Sequence, residues 1–127
     1  ISRLVNNIEL PITEMNSLAR PFYADTTFAY PNIETDIFYS EAGPFWFRGY
    51  YTGDRTAIPQ ILDSTLNKFK IDQVVTGHTP VADTVSSWYN GKLFNTDTPH
   101  AKGKSEALLI EGNKFYKINK EGLKIAL

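Results

Sequence analysis

The chain has 127 residues, 42% of them hydrophobic and 21% charged, which is the ordinary balance of a single folded domain. A formal net charge of −1 removes any general electrostatic case for nucleic acid as a partner, and no apolar run reaches the ~20 residues needed to span a bilayer. With no cysteine, the chain can form neither disulfides nor thiolate metal sites, although that alone does not identify a compartment.

Charge is unevenly spread: residues 1–63 hold four Arg against eight acids, a balance of −4, and residues 64–127 hold nine Lys against six, a balance of +3. The late lysines Lys102, Lys104, Lys114, Lys117, Lys120 and Lys124 alternate with apolar residues near turns. That is the pattern of a solvated sheet face rather than a binding patch. The chain opens on Ile1 rather than methionine and without a leader, so either processing or a segment that starts inside a longer protein is expected.

In chain order, Ile12, Met15, Leu18 and Ala19 lie at helical spacing between Pro11 and Pro21, which predicts a short helix from Ile12 to Arg20. Residues 21–55 show no sustained period, yet they carry 11 of the 17 aromatic residues, from Phe22 to Tyr51. Such a stretch must pack onto something: the rest of the domain, a further portion of the protein, or a ligand. A second helix is predicted from Thr56 to Phe69, with Thr56 as cap, Pro59 in the tolerated first turn, and Ile58, Ile61, Leu62, Leu66 and Phe69 on one face.

A strand follows at residues 72–76. Val81–Tyr89 and Lys92–Thr96 flank Asn90-Gly91 and read as a hairpin with a type I′ turn. Glu106–Ile110 and Lys114–Ile118 flank Glu111-Gly112-Asn113 and read as a second hairpin that closes the chain. The organisation is therefore one unit, 1–127, with an irregular aromatic-rich part at 1–55 and a helix plus mixed sheet at 56–127.

The run Ile71-Asp72-Gln73-Val74-Val75-Thr76-Gly77-His78-Thr79-Pro80 delivers a histidine into a turn just past the carboxyl end of a strand expected to be buried, where open α/β sheets present ligand sites. Gly77 permits a sharp turn, and Pro80 holds Thr79 extended. His78 is then either a metal ligand or a strand-end histidine satisfied by local hydrogen bonds.

Three landmarks resemble the C-terminal half of calcineurin-like metallophosphoesterases, in the protein serine/threonine phosphatase-like branch. They are Gly43-Pro44-Phe45-Trp46-Phe47-Arg48-Gly49-Tyr50, then Val74-Val75-Thr76-Gly77-His78-Thr79-Pro80, then Leu93-Phe94-Asn95-Thr96-Asp97-Thr98 followed by Glu106-Ala107-Leu108-Leu109-Ile110. The match covers about residues 40–118. It implies an α/β fold, the C-terminal part of a four-layer αββα sandwich in which one or two helices precede a mixed sheet with antiparallel hairpins. It also implies hydrolysis of phosphate monoesters by two divalent metal ions, Mn, Fe or Zn, about 3.5–4 Å apart.

On that resemblance His78 corresponds to a metal ligand and Arg48 to a phosphate-gripping catalytic arginine, whose planar guanidinium offers bidentate hydrogen bonds that lysine lacks. The other reading of Arg48 is a guanidinium stacked on Trp46. The Asp-x-His, Gly-Asp-x-x-Asp-Arg-Gly and Asn-His-Glu elements of the family do not occur here, and His78 and His100 are the only histidines. The chain by itself is therefore expected to hold no dinuclear centre and to be inactive.

His78, Asp97 and His100 could be imagined around one zinc, but hairpin spacing alone does not make them converge, and neither Asp97 nor His100 is counted as a ligand. The expected partners are a phosphorylated substrate and either the N-terminal half of the same domain or a second copy of the segment, with no nucleic acid and no membrane. The competing class is a non-catalytic module whose aromatic belt at 22–51 binds a peptide or carbohydrate.

Overall fold

The computed structural model describes residues 10–25, 27, 37, 38 and 40–127. The polypeptide divides into two compact units, Ile1–Ile71 and Asp72–Leu127. None of the described helices is long and apolar enough to cross a membrane.

In the first unit, α1 runs from Ile12 to Ala24. It starts at Pro11, whose carbonyl accepts the N–H groups of Glu14 and Met15, both at 3.0 Å. The helix runs past the predicted stop at Arg20 and carries Pro21 inside it, without the N–H that would otherwise bond the Ser17 carbonyl. The Asp25 N–H then closes the helix on the Pro21 carbonyl at 3.2 Å. Of the predicted stripe, Met15 and Ala19 are buried and form a core with Phe38, while Ile12 and Leu18 stay exposed. Leu10, Ile37, Phe45 and Phe69 pack around that core.

A single turn, α2, spans Gly49–Thr52. The third helix, α3, spans Ile58–Phe69 and buries Ile58, Leu62 and Leu66, the i, i+4, i+8 row that the sequence places on one face. Thr56 does not cap it. Instead the Asp54 carboxylate accepts the Thr56 N–H at 2.9 Å and the Thr56 hydroxyl at 2.7 Å, and the Asp54 carbonyl receives the N–H groups of Ala57 and Ile58, both at 3.0 Å. Those hydrogen bonds hold the Asp54 carboxyl below the usual range. The helix ends at Lys70, which takes the left-handed conformation that glycine usually fills.

The second unit holds two sheets. In the first, β1 (Val74–Thr76) pairs in parallel with β3 (Leu93–Asn95), and β2 (Ser86–Trp88) pairs antiparallel with β3. The β2–β3 connection is the predicted type I′ turn, with φ of 56° at Asn90 and 79° at Gly91 and the Lys92 N–H on the Tyr89 carbonyl at 3.3 Å. In the second sheet, β4 (Glu106–Glu111), β5 (Lys114–Asn119) and β6 (Lys124–Ala126) form an antiparallel meander. The second predicted hairpin is present but does not close the chain. Asn119 turns it back once more, its side-chain oxygen accepting the N–H groups of Glu121 at 3.2 Å and Leu123 at 2.8 Å.

The two sheets meet through Phe94 and Phe115, stacked at 4.6 Å, and through Glu106, whose carboxylate accepts the Thr84 hydroxyl and the Val85 N–H. Burial pushes the Glu106 carboxyl up, but those two hydrogen bonds and the nearby Lys117 charge outweigh it, and the net shift is downward.

The α/β class holds. The four-layer αββα sandwich is not supported: the described strands make two sheets of three strands each, and β1, β2 and β3 are only three residues long. A layered sandwich needs wider sheets with both faces covered. The strand before His78 is also not buried as expected, because β1 is an edge strand with Val75 50% exposed.

Candidate functional site

Arg48 belongs to the first unit and His78 to the second. The turn that carries Arg48 is built on one close backbone approach. A Cβ at Gly43 would lie 1.9 Å from the Ile37 carbonyl oxygen and 2.5 Å from that of Phe38, so only glycine lets the two segments touch. The Gly43 carbonyl then accepts the N–H groups of Trp46 at 3.2 Å and Phe47 at 2.9 Å. Phe45 turns onto Phe38 edge to face at 6.0 Å, and Phe47 meets Tyr50 edge to face at 4.8 Å. Tyr50 is sunk far enough that burial pushes its hydroxyl pKa up, with a hydrogen bond to Thr65 opposing.

Arg48 sits at the end of this run. Its guanidinium carbon lies 4.4 Å from the centre of the Trp46 ring, and Nη1 donates to the Trp46 carbonyl at 2.8 Å. The stacked arrangement read as the alternative for Arg48 is thus present, and it is compatible with a positioned cation. A guanidinium fixed by one neighbour is a better phosphate ligand than a freely rotating one, because less freedom is lost on binding.

His78 lies two residues beyond β1, exposed to solvent. The histidine of this turn takes the left-handed backbone conformation, with φ of 57°. Gly77 has no positive φ, and a Cβ there would meet nothing nearer than Thr96 Oγ1 at 3.8 Å. The turn is held from β3. Asn95, fully buried, donates from Nδ2 to the Thr79 carbonyl at 2.9 Å and accepts the Asp97 N–H at 3.1 Å. Thr96 adds two hydrogen bonds to the Thr76 carbonyl, from its N–H at 2.9 Å and from Oγ1 at 3.0 Å.

Asn95 and Thr96 were not singled out from sequence as positioning groups. The available signal was an asparagine inside an apolar strand, Leu93-Phe94-Asn95, where a buried amide must find partners.

The imagined His78, Asp97 and His100 site is absent: among the described residues no group of three or more His, Cys, Asp or Glu is placed to hold a metal ion. His100 is committed elsewhere, with Nε2 3.2 Å from Thr98 Oγ1 and Nδ1 3.0 Å from Ser105 Oγ. The aromatic belt at 22–51 is described in part. Of its described side chains, Phe38 is buried, Phe45, Phe47, Tyr50 and Tyr51 are half-buried, and Trp46 is exposed. Phe28, Tyr30 and Tyr39 lie outside the described residues.

No protein-family model matches the chain, and no curated protein does. Solved structures do match. The chain is similar to the crystal structure of a point mutant of a cold-active protein tyrosine phosphatase, with a TM-score of 0.78 and 28% identity over 94% of this chain and 36% of that one. It is similar to the cold-active protein tyrosine phosphatase of a psychrophilic Shewanella species, with a TM-score of 0.72 and 27% identity over 94% of this chain and 36% of the other.

A 1.1 Å structure of a cold-active protein tyrosine phosphatase gives a TM-score of 0.71 and 26% identity, over 94% and 35% of the two chains. The assignment to the serine/threonine phosphatase-like branch of calcineurin-like metallophosphoesterases is corrected on this finding. Motifs of six to eight residues report local turns and strand ends, which unlike folds can share. The chain spans about a third of the length of the protein tyrosine phosphatases to which it is similar.

Proposed function

We propose that the protein carrying this chain hydrolyses phosphate monoesters, with phosphotyrosine in proteins as the substrate class. The observation that carries this reading is the likeness to cold-active protein tyrosine phosphatases over 94% of the chain at 26–28% identity. Within it, Arg48 is the group that grips the phosphoryl oxygens. Negative charge spreads over those oxygens as the ester bond breaks, and a permanent cation held in place stabilises that charge without reorganising. The chain has no cysteine, so no thiolate of these 127 residues serves as nucleophile.

His78 is proposed as one ligand of a divalent ion, with Mn, Fe and Zn as candidates and two such ions in the longer protein. The described residues do not make a metal site by themselves, so the remaining ligands would come from beyond them.

The test is hydrolysis of a phosphotyrosine peptide by the full-length protein. Arg48→Ala should lower kcat/KM by about a hundredfold or more, the loss typical of removing one group that stabilises transition-state charge. Arg48→Lys should recover little, since an ammonium lacks the planar fork. Absence of hydrolysis, or an unimpaired Arg48→Ala variant, would sink the proposal. Hydrolysis that survives a chelator removes the role of His78 and leaves that of Arg48 standing.

A further inference from the structure

We infer that Trp46 is a specificity-determining residue that makes the Arg48 site prefer aryl over alkyl phosphate monoesters, an inference that rests on the proposed role of Arg48. Three consecutive aromatic residues precede Arg48, and they are used differently. Phe45 packs on Phe38. Phe47 lies against Tyr50 and against Gly49, where a Cβ would come within 2.1 Å of the Phe47 ring. Trp46, between them, keeps 46% of its surface exposed. It is the exposed member of the aromatic run, and it is also the one beneath the Arg48 guanidinium, 4.4 Å from ring centre to guanidinium carbon.

The two side chains together form a short amphipathic clamp. The guanidinium supplies charge for a phosphoryl group, and the indole supplies an apolar ring beside it. Aromatic rings attract one another at centroid separations of about 4.5–7 Å, a distance comparable to the spacing between the guanidinium and the indole. An aryl group esterified to a phosphoryl held at the edge of the Arg48 guanidinium reaches Trp46 by folding back onto the part of the indole that stays exposed. A methyl or seryl ester carries too little apolar surface to gain from the same neighbour.

Stacking of this kind corresponds to roughly a twofold to tenfold gain in affinity. The preference would thus arise from ground-state recognition of the ester group, separately from the better leaving ability of a phenolate.

Phosphonates separate the two effects, because they cannot be cleaved. Calorimetric titration of the full-length protein with phenylphosphonate and with methylphosphonate should show the phenyl compound binding roughly twofold to tenfold tighter. Trp46→Leu should bring the two affinities together, and Trp46→Phe should keep them apart, because a smaller ring still stacks. Equal affinities in the unaltered protein, or a preference that survives Trp46→Leu, overturn the inference while leaving Arg48 its role. If Arg48→Ala binds both compounds as the unaltered protein does, the phosphate-gripping role fails and the inference falls with it. If the unaltered protein binds neither compound, both are overturned.

Discussion

Arg48 owes its position to ring packing and one close backbone contact at Gly43, whereas His78 owes its position to a parallel strand pair and to hydrogen bonds from Asn95 and Thr96. The two arrangements fail differently. Packing of the first kind weakens when volume is removed, because the cavity left behind is only partly filled by relaxation. Hydrogen bonding of the second kind weakens when one partner is removed, because a buried carbonyl or amide is then left without either protein or water. Arg48 in the first unit is therefore sensitive to the size of its neighbours, and His78 in the second to their polarity.

The comparison breaks most visibly at Phe38, which is fully buried between Met15, Ala19 and Phe45. Phe38→Ala should cost about 3–5 kcal/mol in urea unfolding, with amide-exchange protection lost around Met15 and Ala19. A cost below about 1 kcal/mol would mean that the Arg48 turn is not supported by this core.

At Asn95 the expected loss is smaller. Asn95→Leu keeps the apolar volume but strips the Thr79 carbonyl and the Asp97 N–H of their partner, and should cost about 1–3 kcal/mol. The His78 ring resonances should shift at the same time. An unchanged histidine spectrum would show that the turn holds itself.

Glu106 sharpens the polar side of the contrast through pH. Its folded-state pKa lies below the unfolded value, for although burial raises it, the hydrogen bonds from Thr84 and Val85 and the Lys117 charge lower it further. Its contribution to stability is therefore present above about pH 4.3 and is lost as the pH falls through the folded value. Glu106→Gln should flatten that acid limb of the stability curve. A variant with the same acid dependence as the unaltered protein would assign the limb to other carboxylates.

The smallest effect is expected at Gly77. With no positive φ to satisfy and room for a methyl group 3.8 Å from Thr96 Oγ1, Gly77→Ala should change stability by no more than about 0.5 kcal/mol. His78 carries the left-handed conformation of that turn, and a large loss at Gly77 would contradict that division of labour.

Legibility from sequence follows the same line. The hairpins could be read because Asn90-Gly91 encodes its turn within a few residues, and the face of α3 because its apolar residues repeat every turn. The overrun of α1 through Pro21 and the entry of α3 through Asp54 were not legible, since each depends on which nearby group meets an orphan backbone N–H or carbonyl. The candidate residues were legible and their supports were not. Arg48 and His78 stand out as residues, while Gly43, Asn95 and Thr96, which hold them, are recognisable only when the backbone segments they touch are known.

The family assignment shows the limit from the other side. Short motifs in the right order matched one phosphatase family, and the folded chain is similar to structures named for another phosphatase activity.

By itself the sequence determined what depends on a few neighbouring residues: the α/β class, α3, the turn at Asn90-Gly91, and an arginine and a histidine each delivered by a turn. Tertiary structure alone decided that Arg48 rests on Trp46, that Asn95 secures the His78 turn from within β3, and that His100 is occupied by two hydroxyls. The physical reason is range. Propensity and periodicity act over a turn or a strand, whereas ring packing and buried polar satisfaction join groups distant in the chain, whose meeting no local pattern specifies.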